Sequence, residues 1–333
     1  MAVVCMRKVF GFCLLLLLTA DILSAQNRVS AEDYFKRGLA KMKTAESAAT
    51  NSLAEKNYKS AAEDFSRAIE IKPENPEFYL QRGRCFYKTS NTEQAIWDFN
   101  SAIKLDPELP EAYIERGKIF ADLHLDDEDR EETVKRAFAD FDKAIKLKPK
   151  IDDFYFVRGQ LLFSELTGDE TDIENNKRAL VDLNKAISIE PNFAEALIFR
   201  AQIYFYFKEN EKSIADSTKA ITLKPRNAGA FKIRGRVYAA LEKYELAASD
   251  FTAALRFEPK NPDLYFYRAA VYEKMGKKRE AKSDKAMEMK LPPNINTNTL
   301  TEYRKQIIYG LSKETIEDTS LINDDTDLPD QMQ

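Results

Sequence analysis

AYIERGKIF at residues 112–120 and AFADFDKAIKLKP at residues 137–149 decide the fold of this chain. Tyr113 and Phe120 flank Gly117 at helical spacing, and Phe141 lies between Ala137 and Ala144, which is the apolar stripe of an amphipathic helix in each segment. The same two segments recur along the chain. Their first halves are marked by Arg37-Gly38, Arg82-Gly83, Arg116-Gly117, Arg158-Gly159, Arg200-Ala201, Arg234-Gly235 and Arg268-Ala269. Three successive spacings are 34 residues, two are 42 and one is 45, so one 34-residue unit with three insertions accounts for all seven copies. Twelve residues after the small residue in uninterrupted copies comes another, and seven later a third, as in Gly83, Ala95 and Ala102 or Gly235, Ala247 and Ala254. Small residues at these spacings let two helices approach closely, so each copy reads as an antiparallel helix pair. Pro73, Pro107, Pro149, Pro191, Pro225 and Pro259 close the first six copies, because proline lacks an N–H and disfavours helix at the residue before it.

The recurring aromatic, Gly/Ala, aromatic, Ala, Phe, Ala and Pro positions resemble the tetratricopeptide repeat family over residues 31 to 291. The resemblance implies an all-α fold, a right-handed α-solenoid or superhelix of about seven antiparallel helix pairs, here expected to end in a C-terminal capping helix. The expected organisation is a signal peptide at 1–25 and repeats within 26–291, at about 31–73, 74–107, 108–149, 150–191, 192–225, 226–259 and 260–291. A capping helix at 292–312 and a disordered acidic tail at 313–333 follow. Two departures stand out. Ser213 and Ser217 replace the alanine and aromatic of the fifth copy, and the seventh copy reads as two residues short between Ala281 and Ala286, which predicts an altered last helix. Thr299-x-x-Glu302 reads as a capping box, and Leu300, Tyr303, Ile307 and Leu311 share one apolar face.

A chain of 333 residues that is 44% apolar and 32% charged buries an extensive core, shared between neighbours in a stacked array forming one elongated domain. The net charge of −4 argues against nucleic acid as the main partner. Arg7-Lys8, the apolar run from Val9 to Leu18 and the segment ADILSAQ have the three zones of a secretory signal, with cleavage expected after Ala25. The run is short for a membrane span and Asp21 interrupts it, although an uncleaved signal anchor is the alternative. The expectation is an exported protein, periplasmic or extracellular, or in a eukaryotic secretory lumen, with no stable membrane span after cleavage. Beyond residue 25 Cys85 is the only cysteine, at an offset filled by Ile119, Leu161, Ile203, Val237 and Val271 in other copies. It reads as a buried apolar residue.

Each copy also pairs its arginine with an aspartate three residues after the first alanine-type position. The pairs are Arg37 with Asp64, Arg82 with Asp98, Arg116 with Asp140, Arg158 with Asp182, Arg200 with Asp216, Arg234 with Asp250 and Arg268 with Asp284. A planar guanidinium matches a carboxylate, so these pairs read as a structural ladder, and a row of arginines gripping an acidic ligand is the alternative.

About 100° around the first helix from its packing stripe runs a second stripe, which in the resembled family lines a concave groove for peptides. Its members are Leu80, Arg84 and Tyr87; Ile114, Lys118 and Ala121; Phe156, Gln160 and Phe163; Ile198, Gln202 and Phe205; Lys232, Arg236 and Ala239; and Phe266, Ala270 and Glu273. Aromatic residues in the middle flanked by cations suit a segment with apolar anchors and an acid. Packing against the longer third and fourth copies is the other reading of Phe156, Phe163 and Phe205.

The acidic insertions at residues 126–132 and 168–176 match no calcium loop, and a solvated loop is expected. His124 stands alone, and there is no nucleophile elbow, phosphate loop, HExxH or CxxC. No catalytic residue, no cofactor and no metal are therefore expected. The sequence thus predicts a non-catalytic protein–protein interaction scaffold that binds a peptide segment of a partner in the concave groove. A self-associating structural or envelope-assembly component is the alternative. A co-chaperone is disfavoured, since Arg236 stands where the chaperone-tail clamp of such relatives needs an asparagine beside Lys232.

Overall fold

The computed structural model describes residues 29–123, 130–163 and 170–292. The signal segment, His124, the capping helix and the acidic tail read from the sequence lie outside these residues. Among the described residues there are fourteen helices and no strand. They are α1 (Ala31–Glu46), α2 (Asn51–Ile71), α3 (Pro76–Lys88), α4 (Thr92–Leu105), α5 (Pro110–Leu123), α6 (Arg130–Leu147), α7 (Asp152–Leu162), α8 (Glu170–Ile189), α9 (Ala194–Tyr206), α10 (Asn210–Leu223), α11 (Ala228–Ala240), α12 (Tyr244–Phe257), α13 (Pro262–Lys274) and α14 (Lys278–Lys290). Odd and even helices pair within each repeat, and each even helix packs on the next odd one inside its unit. Pro149 is also a boundary between two compact units, residues 1–149 with α1–α6 and residues 150–333 with α7–α14.

Local chemistry sets the helix ends. Ser30 and Asp33 form a reciprocal capping box, and Thr50, Asn75, Asn227 and Asn261 accept from backbone N–H groups of the turns they open. Where the period is 34, the paired helices are joined by one repeated turn. Ser90, Lys208, Glu242 and Gly276 adopt φ of 60°, 60°, 57° and 73° at the same register. The next residue donates back across the helix end, as from Asn91 N to Phe86 O and from Glu209 N to Tyr204 O, both 2.8 Å. The insertions lengthen helices as well as connections: residues 130–132 open α6 and residues 170–176 open α8, where acidic loops were expected.

In four pairs, the first, second, third and sixth, the core forms where the glycine of the first helix meets a phenylalanine of the second. A Cβ on Gly235 would lie 2.9 Å from Phe251 Cε1, and one on Gly117 would lie 2.6 Å from Phe141 Cε1. Phe65, Phe99, Phe141 and Phe251 are fully enclosed in this way. The fifth repeat trades that contact for another. Ala201 replaces the glycine and Ser217 the aromatic, while Ser213 Oγ donates to Ala201 O at 2.7 Å and Ser217 Oγ to Ser213 O at 2.6 Å. Both buried hydroxyls are thereby satisfied by helix carbonyls, which removes the penalty of their burial.

The seventh repeat corrects the sequence reading. Arg268 and Asp284 are separated as Arg234 and Asp250 are, and α14 continues to Lys290, so no residue is missing. Glu288, rather than Ala286, occupies the register of Ala254, and Lys285 occupies that of Phe251. The change is one of residue type.

Candidate functional site

Seven arginine–aspartate pairs come together, each inside one repeat. Arg82 Nε and Nη2 donate to the two oxygens of Asp98 at 2.8 and 2.7 Å, and Arg116, Arg158, Arg200, Arg234 and Arg268 hold Asp140, Asp182, Asp216, Asp250 and Asp284 in the same two-pronged way at 2.7–2.9 Å. Arg37 grips Asp64 likewise, and Lys41 adds a second cation at 2.7 Å. Burial pushes the Asp64 carboxyl up, but Arg37 and Lys41 together outweigh it and hold it below the ordinary value. Asp98 is 0% exposed, and there burial outweighs Arg82 and raises the carboxyl. Aromatic rings enclose the guanidinium from the sides: Arg82 Cζ lies 5.7 Å from the Tyr79 and Phe86 ring centres and 6.0 Å from that of Trp97. Cations held on a carboxylate and between rings serve the fold.

The same arginines do something the sequence reading missed. Nη1 of Arg82, Arg116, Arg200, Arg234 and Arg268 donates back to Ser66, Asn100, Asn184, Thr218 and Thr252 on the second helix of the preceding repeat, at 3.1, 2.5, 2.8, 3.1 and 3.0 Å. Each acceptor lies two residues after an aspartate of the ladder, so one side chain ties its own pair and joins that pair to its neighbour. The detectable signal was a hydroxyl or amide at a fixed offset, hidden because the residue type changes.

The second stripe lies where first helices of adjacent repeats converge. α1 touches α3 and α3 touches α5 in the first unit, as α9 touches α11 and α11 touches α13 in the second. In the first unit Leu80 and Ile114 are buried there. Polar members are tied across the repeats: Arg84 Nε donates to Glu115 Oε1 at 3.1 Å, and the Tyr87 hydroxyl donates to Asp122. Lys118 is half-buried. At the foot of this face Lys148 donates to Glu111 at 2.7 Å, and burial of Glu111 is outweighed by that ammonium, so its carboxyl lies below the ordinary value.

The second unit presents a different surface. Phe156 on α7 meets Phe193 and Phe199 with ring centres 4.8 and 5.5 Å apart, and Phe163 meets Phe199 edge-on at 5.9 Å. These rings are packed and yet half-exposed, and Gln160 between them is exposed. Ile198 is buried, while Gln202, Phe205, Lys232 and Phe266 are half-buried. Arg236 is only 7% exposed, its guanidinium 5.0 Å from the Phe205 ring centre and 5.6 Å from that of Tyr267. It stiffens the face more than it charges it. Glu195 pairs with Lys224 beside this face, and the ammonium outweighs burial to lower the carboxyl.

Cys85 is fully buried, and burial pushes its thiol up to about 12, so the neutral form persists. No described helix is long and apolar enough to cross a membrane.

The model of the TPR repeat matches residues 83–123 and 235–276, and that of the tetratricopeptide repeat matches residues 194–227. No curated protein matches the chain. Among solved structures, a tetratricopeptide repeat protein from Parabacteroides merdae is 15% identical with a TM-score of 0.54, covering 82% of this chain and 99% of that one. PilF of Pseudomonas aeruginosa is 14% identical with a TM-score of 0.55, covering 69% and 97%. PilW, a type IV pilus biogenesis factor, is 15% identical with a TM-score of 0.55, covering 71% and 98%. At such identities the likeness concerns the fold. With the repeat register, the arginine ladder and the matched repeat models in agreement, the chain carries tetratricopeptide repeats.

Proposed function

We propose that the chain is a non-catalytic scaffold for a protein partner, and that the second unit captures an extended segment of it on the face shared by α7, α9 and α11. Phe156, Phe163 and Phe205 supply apolar area, Gln160 and Gln202 supply amide donors and acceptors for a peptide backbone, and Lys232 favours an acid in the partner. The observation that carries this reading is the packing of Phe156 and Phe163 on Phe199. Rings already ordered by their neighbours lose little side-chain freedom on binding, so their contact area converts efficiently into affinity. The first unit is less suited, because Arg84 and Tyr87 are engaged by Glu115 and Asp122. Ordering a flexible segment costs about 2–5 kcal/mol, which favours modest, reversible affinity.

The exported location rests on the three-zone segment of residues 1–25, and a periplasmic or extracellular site is the reading we favour. The test of the binding face is an affinity capture from the native compartment with Phe156→Glu and Phe205→Glu beside the unaltered protein. Loss of one specific protein in both variants supports the face, and unchanged capture rejects it.

A further inference from the structure

α14, the last of the described helices, differs from its predecessors where a following repeat would dock. In the sixth repeat Ala248, Phe251 and Leu255 of α12 join Leu264 and Val271 of α13 in one core cluster. Lys282, Lys285 and Met289 hold the same registers on α14, and all three are exposed, Met289 at 85%. The ladder ends here too. Thr252 accepts from Arg268 of the next repeat, whereas its register mate on α14 is Ala286, which has no side-chain acceptor. Lysines at two of three docking registers make this face a poor seat for an apolar helix, since burying the Lys282 ammonium without a partner is costly and Lys285 is already paired with Glu273 of α13 at 2.5 Å.

The charge identifies a different occupant. α14 carries Lys278, Arg279, Lys282, Lys285 and Lys290 against Glu280, Asp284 and Glu288, and Asp284 is held by Arg268. The chain continues to residues 313–333, with seven acidic residues and one basic. We propose that this acidic segment folds back on the outer face of α14, its carboxylates meeting Lys282 and sharing the half-exposed Lys285 with Glu273. The residues between Pro292 and Lys313 reach along the ~20 Å of α14 whether coiled or helical. Tethering makes the contact intramolecular, so weak exposed ion pairs suffice at low salt. The segment then shields the basic end of the second unit from other anions and from a second copy. This role is independent of the binding face on α7, α9 and α11.

Zero-length carbodiimide coupling of the full chain, read by mass spectrometry, tests it. The expected result is amide links from Lys282 or Lys285 to acids between Glu314 and Asp330 in the monomer. They are unaffected by dilution and fall about fivefold or more between 0.05 and 0.5 M salt. Links spread equally over distant lysines such as Lys59 and Lys104, links only between differently isotope-labelled copies, links indifferent to salt, or none at all would each overturn the proposal.

Discussion

Arg82 closes on Asp98 with two parallel hydrogen bonds and reaches with its third nitrogen to Ser66 in the preceding repeat. One residue thus supports both packing within a helix pair and packing between pairs. Arg82→Ala leaves the enclosed Asp98 carboxylate without its counterion and is expected to lower unfolding free energy by about 3–5 kcal/mol. Asp98→Ala is expected to destabilise strongly as well. In the double variant the loss is well short of the sum, with a coupling of about 1–3 kcal/mol by denaturant titration. Strict additivity would show that the two side chains do not act together.

Gly235→Ala places a methyl 2.9 Å from Phe251 Cε1 and is expected to destabilise by about 1–3 kcal/mol. Adding Phe251→Leu should recover part of this, because Gly159 pairs with Leu183, whose Cγ lies 3.4 Å from an added Cβ. Gly159→Ala is accordingly the milder change. Thermal melts of the four proteins give the order directly.

Lys208 holds a left-handed φ of 60° in the turn between α9 and α10, where the seventh repeat has Gly276. Lys208→Gly relieves the Cβ strain of that conformation and is expected to stabilise by about 0.5–1 kcal/mol despite the freedom glycine adds to the unfolded chain. An unchanged or lowered midpoint of chemical unfolding would contradict it.

Stability against acid follows from carboxylates lowered by cations. Asp64, Glu111 and Glu195 are pushed up by burial but held down overall by Arg37 with Lys41, Lys148 and Lys224. A carboxyl lowered in the fold contributes stability that is present above its unfolded value and lost as pH falls through the folded one. The melting temperature is therefore expected to drop below about pH 4. Asp98, raised by burial, works the other way. Asp64→Asn should flatten the acid limb and leave a lower plateau at neutral pH.

Much of this architecture is legible in the sequence because its parts recur. The arginine stands next to the small residue, and the aspartate stands three residues after the first alanine-type position, in all seven copies, and the arginine and aspartate side chains meet in the fold. Ser66, Asn100, Asn184, Thr218 and Thr252 were not legible as a set, since they share only the capacity to accept a hydrogen bond. The stripe was legible as a direction and less so as a surface. First helices converge closely enough to bury Leu80, Ile114 and Ile198, and Arg236 settles between Phe205 and Tyr267. At α14 alanine identity misled, because register follows the aspartate and Ala286 only resembles the missing alanine.

Site-specific photocrosslinking compares the two sides of one repeat most directly. A photoreactive residue replaces Phe163 at the end of α7 in one protein and Val181, 53% exposed on α8, in another, each expressed in the native compartment. Reproducible crosslinking of one partner protein from position 163 and none from position 181 is the predicted result. Equal crosslinking from both positions, or from position 181 alone, would contradict capture on the face of α7, α9 and α11.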